Sequence, residues 1–316
     1  MSAIRLCLTD PALRAAGLVI ALQGAIVCSF APYYSTLAVN TYGFGDKGFA
    51  ILLAMSSLVS VAASVAGGIR ADQTARRRQV TLVAVLSLTL GMGLMTVMPG
   101  PWVFALAAGL LFPLGSVTFG QVFALARLAA RRHPEAERDG IMAVIRALFA
   151  APFVVVLPLW ALVFARAVPV TAVFPAGLVL SALMLAVVVR QWPKDGGTAW
   201  ADGPSGLSFR AALSEIARPG LAARVLALGA VMSAGTVYIA LVSLVMVPEA
   251  GRGAADVALY VGLVAGLEVP FMLLLPRLTR GMDRTRLILG GAALYAVHVA
   301  LLPVLAGSWA VWLLVL

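Results

Sequence analysis

Nine runs of about twenty apolar residues, separated by short polar stretches, limit what this chain can fold into. They cover roughly 12–35, 48–69, 79–98, 102–126, 140–163, 168–189, 222–247, 256–276 and 287–305. A run of that length matches the hydrocarbon core of a bilayer when it is helical. In lipid, a helix is one of the two ways to satisfy every backbone polar group. Composition agrees: apolar residues make up 62% of the 316 and charged residues 11%. A soluble domain is about half apolar and a quarter charged. The expected class is therefore an all-α polytopic membrane protein. The first run is too long for a signal peptide, has no clear small-residue cleavage site and is followed by more spans, so it reads as a retained helix. A tenth run begins at Trp309 and the sequence stops at Leu316. Those eight residues cannot cross a bilayer, so the chain reads as cut within helix 10.

The charges fix an orientation. Nineteen of the 23 Lys and Arg lie in the N-terminal arm or in alternate loops on one side. The other side holds Lys47, Arg166 and Arg252, and Arg146 lies inside the fifth run. The positive-inside rule then places the N-terminus and the long middle loop in the cytoplasm. The net charge of +10 does not point to nucleic acid, because the cations are spread over loops rather than gathered on one face. Cys7 and Cys28 suggest neither a structural disulfide nor a metal site. His133 falls in a charged loop and reads as solvated, and His298 falls in the ninth run and reads as structural.

Two basic strings stand at matching places, after the second and the eighth runs: 67–78 and 277–286. A duplicated charged hairpin between apolar helices points to a transporter built from repeats. Residues 1–189 form a first six-helix unit. Residues 190–221, rich in Gly and Pro, read as a cytoplasmic linker with a short surface helix from Phe209 to Ala217. Residues 222–316 begin a second unit.

Six helices, a linker and further helices resemble the layout of the major facilitator superfamily. The first hairpin resembles that superfamily's loop signature at Gly68, Asp72, Arg76, Arg77 and Arg78. Ala75 stands where a second glycine is usual, and Gln73 where a basic residue is usual. Gly68 is expected to allow close helix approach, and Asp72 to cap a helix or pair with Arg. Further strings, 119–128 around Gln121, 141–158 with Arg146 and Pro158, and 265–273 around Glu268, resemble the bacterial sugar efflux transporters within the superfamily. In the fifth run only Pro158 remains of that family's usual Gly-Pro-Pro. The resemblance implies two six-helix bundles and a bacterial inner membrane location. It implies export of a sugar or glycoside-like solute by proton antiport with alternating access. Export of a lipophilic drug-like solute and a non-transporting fragment remain as alternatives.

Ionisable groups inside spans are costly and mark function by default. Arg146 and Glu268 fall at similar depths. The resemblance makes their helices neighbours, so they either pair or are each satisfied by backbone or water. Glu268 is the only acid well inside a run and is the candidate proton site. Gln23 and Gln121 can hydrogen-bond hydroxyls or serve as interhelical glue. In the seventh run Tyr238 points away from the stripe Ser233, Thr236 and Ser243, and Tyr238 is the expected solute contact. Amides with aromatics fit a neutral hydroxylated ligand. An intramembrane enzyme would need a catalytic set inside the spans, and no such spacing occurs. No nucleotide or metal motif is present, so the expected partners are a small solute, protons and the bilayer, with no cofactor and no obligate protein partner.

Overall fold

A computed structural model describes residues 3–195, 204–278 and 282–315. All of the regular structure among them is helical. In chain order the helices are α1 (Ala3–Thr9), α2 (Pro11–Phe30), α3 (Tyr34–Thr36), α4 (Asp46–Thr74), α5 (Arg77–Val97), α6 (Pro101–Leu106), α7 (Phe112–Gly115), α8 (Val117–Ala130), α9 (Glu135–Phe164), α10 (Val173–Arg190), α11 (Phe209–Ile216), α12 (Pro219–Leu244), α13 (Ala254–Leu278) and α14 (Arg284–Leu305). Eight helical stretches among the described residues are long and apolar enough to cross a membrane. α13 carries the remaining expected run. The protein is thus a multi-pass helical membrane protein by the length and composition of its helices. Part of the second basic string (279–281) and part of the linker (196–203) lie outside the described residues. Trp309–Val315, the start of the tenth run, is a 3₁₀ helix packed on α13 and α14.

The chain divides into two compact units. Unit 1 comprises 1–27, 38–149 and 172–222, and unit 2 comprises 28–37, 150–171 and 223–316. In unit 1, α5 packs along α10 and against α7 and α8, and α4 packs against α7 and α8. The closeness of these helices has a sequence cause. A Cβ on Gly67 of α4 would stand 2.7 Å from Val117 Cγ1, and one on Gly177 of α10 would stand 2.7 Å from Met92 Sδ. At Gly67 the neighbour is a stiff β-branched side chain, so the approach depends on the missing side chain; at Gly177 the neighbour is the flexible Met92 thioether.

The arginine-rich end of unit 1 is held by polar contacts that bring together distant parts of the sequence. Asp195, just after α10, accepts from the backbone amides of Arg78 and Gln79 at 2.8 and 3.2 Å, so it caps the first turn of α5. The Arg78 guanidinium donates to the Val189 carbonyl at 2.7 Å in the last turn of α10, where a cation suits the helix end. The described end of the linker docks back on α4. Gln73 Nε2 donates to Leu207 O at 2.8 Å, and Ser205 N donates to Asp72 O at 2.9 Å. Gly206 makes this turn with φ +69°, in the region that favours glycine. α11 then starts at Ser208, whose hydroxyl accepts from Ala211 N. It closely matches the short surface helix expected from Phe209.

Asp10 caps α2 through Ala12 N at 2.8 Å and Leu13 N at 3.2 Å. Arg132 and His133 approach the same carboxylate at 3.6 and 3.5 Å. His133 is therefore not a solvated loop residue, as its sequence context suggested. It sits against a carboxylate that is 8% exposed. Cys7 lies nearby, and burial together with the Asp10 charge raises its thiol above the ordinary range.

Unit 2 has its own polar ties. Ser35 and Ser243 hydroxyls meet at 2.8 Å, and Trp160 Nε1 donates to Ser29 Oγ at 2.8 Å. Trp160 stacks on Phe164, which meets Tyr33 edge-on.

Candidate functional site in unit 1

A groove runs between the C-terminal turns of α4 and the length of α8. Side chains at i, i+4 spacing share one helix face, and α4 supplies Ser64, Gly68 and Asp72 in this way. α8 supplies Gln121, Ala124 and Arg127 on successive turns, and Arg131 follows directly at its C-terminal end. The Ser60 and Ser116 hydroxyls meet at 2.7 Å and tie the two walls together. The groove encloses about 480 Å³.

The expected role of Gly68 is corrected by this geometry. The close helix approach falls at Gly67, whereas a Cβ on Gly68 would meet nothing within 4 Å. One residue turns a helix by about 100°, so Gly67 faces Val117 and Gly68 faces the groove. Asp72 pairs with Arg77 at 2.7 Å, one of the two roles expected of it. Capping of α5 falls to Asp195 instead. Arg76 is exposed at the head of α5.

Gln121 is 3% exposed, and its Oε1 has no hydrogen-bond partner among the described residues. A buried acceptor left unpaired costs about 1–3 kcal/mol. Gln121 lines the groove, so a ligand donor brought to this buried oxygen would recover that cost. The Asp72 charge is already matched by Arg77. Arg127 and Arg131 line the same groove, are exposed, and have no carboxylate partner among the described residues. The structure thus brings Gln121 together with Gly68, Asp72 and Arg77, which the sequence divided between a solute site and a loop motif. It adds two arginines that the sequence assigned only to topology. Their spacing was the available signal: residues 121, 124, 127/128 and 131 recur at helical period.

The remaining site residues lie elsewhere. Gln23 on α2, in unit 1, is 7% exposed with an unpaired Oε1. Arg146 is exposed on α9 in unit 1, and Glu268 is exposed on α13 in unit 2.

Tyr238, in unit 2, sits in an aromatic cluster. Tyr295 lies edge-on to it at 6.1 Å and His298 at 5.4 Å. The Tyr238 hydroxyl is buried, with the Tyr260 hydroxyl as a hydrogen-bonding neighbour. The serines on the other stripe of α12 are accounted for: Ser243 bonds Ser35, and Ser233 bonds back to Ala230 O. His298 holds the cluster in register. Its Nδ1 lies 3.1 Å from the Leu314 carbonyl, which accepts if that nitrogen carries the proton. Nε2 is then free to accept from the Tyr260 hydroxyl at 3.4 Å. The sequence treated Tyr238 and His298 separately. Tyr295 and His298 at i, i+3 were the sign that one face of α14 is aromatic.

Among the described residues no group of three His, Cys, Asp or Glu side chains is placed to hold a metal ion. No family model matches this chain, and no curated protein matches it.

Proposed function

We propose that this protein is a secondary transporter of the major facilitator type, not an enzyme, which expels a small hydroxylated, sugar- or glycoside-like solute in exchange for protons. The observation that carries the reading is a pair of long amide side chains, Gln121 and Gln23, buried on membrane-length helices with unpaired acceptors. Hydroxyl donors of a solute would satisfy them. The Tyr238 hydroxyl adds a buried polar group in unit 2. Glu268 is the proton carrier in this reading, because a carboxyl inside a span can change its proton occupancy with its surroundings. In this reading the N-terminus is cytoplasmic, by the positive-inside bias of the loop arginines, and the resemblance to bacterial sugar efflux transporters implies the inner membrane.

The test is transport by the purified chain in proteoliposomes. An imposed proton gradient should drive accumulation of a labelled glycoside. Glu268→Gln keeps shape and hydrogen bonding but cannot titrate. It should lose gradient-driven accumulation and retain exchange of labelled for unlabelled solute. Equal uphill transport by Glu268→Gln would remove Glu268 from the mechanism. Failure of any sugar or glycoside to exchange would remove the solute class.

A further inference from the structure

We propose that the α4–α8 groove binds the phosphate ester of a polyol, with Arg127 and Arg131 on the phosphate and Gln121 on a hydroxyl. Asp72 and Arg77 neutralise each other at 2.7 Å, so the groove keeps the two positive charges of Arg127 and Arg131. Guanidinium forks match phosphate oxygens in geometry as well as in charge. Charge alone would fit any anion. The second observation is Gln121, 97% buried in the same groove with its carbonyl oxygen unpaired. That acceptor calls for a donor, which bare phosphate at neutral pH supplies poorly and a polyol hydroxyl supplies well.

Distance along α8 agrees. Six residues separate Gln121 from Arg127, about 9 Å of rise, which suits a hydroxyl and a phosphate at opposite ends of one small molecule. A volume of about 480 Å³ holds such a molecule.

This chemistry has two sources, a soluble sugar or glycerol phosphate and the headgroup of phosphatidylglycerol. In the soluble case the inference rests on the transporter reading and makes the solute anionic. In the lipid case it stands without that reading, and Gln121 leaves the solute path.

Binding separates these outcomes. The chain in neutral detergent is offered phosphatidylglycerol, phosphatidylethanol or phosphatidylcholine and read by native mass spectrometry. Glycerol 1-phosphate is titrated separately by calorimetry. At least one of phosphatidylglycerol and glycerol phosphate should bind. The double variant Arg127→Gln/Arg131→Gln should weaken that binding by about tenfold or more. Both residues are exposed, so its thermal unfolding should match the parent's. Arg224→Gln, an exposed arginine on α12, should leave binding within about twofold, since a single exposed charge contributes little. Gln121→Leu should erase any preference for phosphatidylglycerol over phosphatidylethanol, a diester without free hydroxyls. Arginine-dependent binding of lipid alone assigns the headgroup, and arginine-dependent binding of glycerol phosphate assigns the solute. Binding of neither, or binding unchanged in the double variant, overturns the proposal. Transport of neutral glycosides with no phosphate ester bound would overturn it and leave the transporter reading intact.

Discussion

The two basic hairpins stand at matching places in the sequence, yet they are held in different ways. At the first, α4 to α5, the acid inside the loop pairs with an arginine, Asp72 with Arg77. The helix cap comes from Asp195, more than a hundred residues away. At the second, before α14, the acid inside the loop is itself the cap: Asp283 accepts from Arg286 N at 3.3 Å. Similar residue types thus perform different work. The first hairpin is a junction where α4, α5, α10 and the linker meet. The second, in its described residues, is capped from its own sequence. Neighbouring packing differs in the same sense. Gly67 on α4 is in tight contact, whereas Gly290 near the start of α14 has open space around it.

The largest expected effect tests that difference in packing. Gly67→Ala places a Cβ 2.7 Å from a stiff β-branched side chain, so helices must shift. Overpacking of this kind costs about 1–3 kcal/mol. Gly290→Ala meets nothing within 4 Å and should stabilise α14 by about 0.5–1 kcal/mol through helix propensity. Thermal unfolding in detergent should move down for the first and up for the second. Shifts of equal sign would erase the contrast between the hairpins.

A smaller effect separates the two caps. Asp195→Ala removes the acceptor of two amides and Asp283→Ala that of one. Loss of a cap costs about 1 kcal/mol, so Asp195→Ala should be the more damaging. It should also loosen the linker, seen as faster proteolysis between α10 and α11. Asp283→Ala should leave that cleavage rate unchanged. Faster cleavage in both variants would mean that Asp195 does nothing special for the junction.

What the sequence reveals of these features follows from how local they are. The spans are legible because lipid selects for length and hydropathy, both of which can be counted along the chain. α11 is legible because Ser208 stands just before an apolar-periodic run. Asp283 precedes its helix and can be read as a cap in the same way. Asp195 cannot, because its partners Arg78 and Gln79 are set by the packing of α10 on α5. The groove was half legible. Gln121 stood out as a polar residue in an apolar run, but Arg127 and Arg131 were absorbed by the topology rule, which explains loop arginines without asking what they face. His133 was misread for the same reason, since a charged loop hides a specific partner such as Asp10.

The smallest expected effect concerns Ala75, at the turn of the first hairpin. It ends α4 with φ 53° and ψ 21°, a left-handed conformation that L residues with a side chain pay for. That cost is about 1–2 kcal/mol. Glycine would remove it. Glycine also gives the unfolded chain more freedom, which takes back about 0.4–1 kcal/mol. Ala75→Gly should therefore stabilise unit 1 by roughly 0.5 kcal/mol. For a chain this long that is a rise of about 1 °C in Tm. Ala75→Val makes the contrast sharper, because a β-branched side chain tolerates the left-handed region poorly. It should lower Tm by more than Ala75→Gly raises it, and it should speed cleavage of the linker, since Asp72 and Gln73, which hold Ser205 and Leu207, directly precede the turn. If Ala75→Val is neutral and Ala75→Gly destabilises, the turn is not left-handed, and Ala75 does not set the geometry of the junction at the first hairpin.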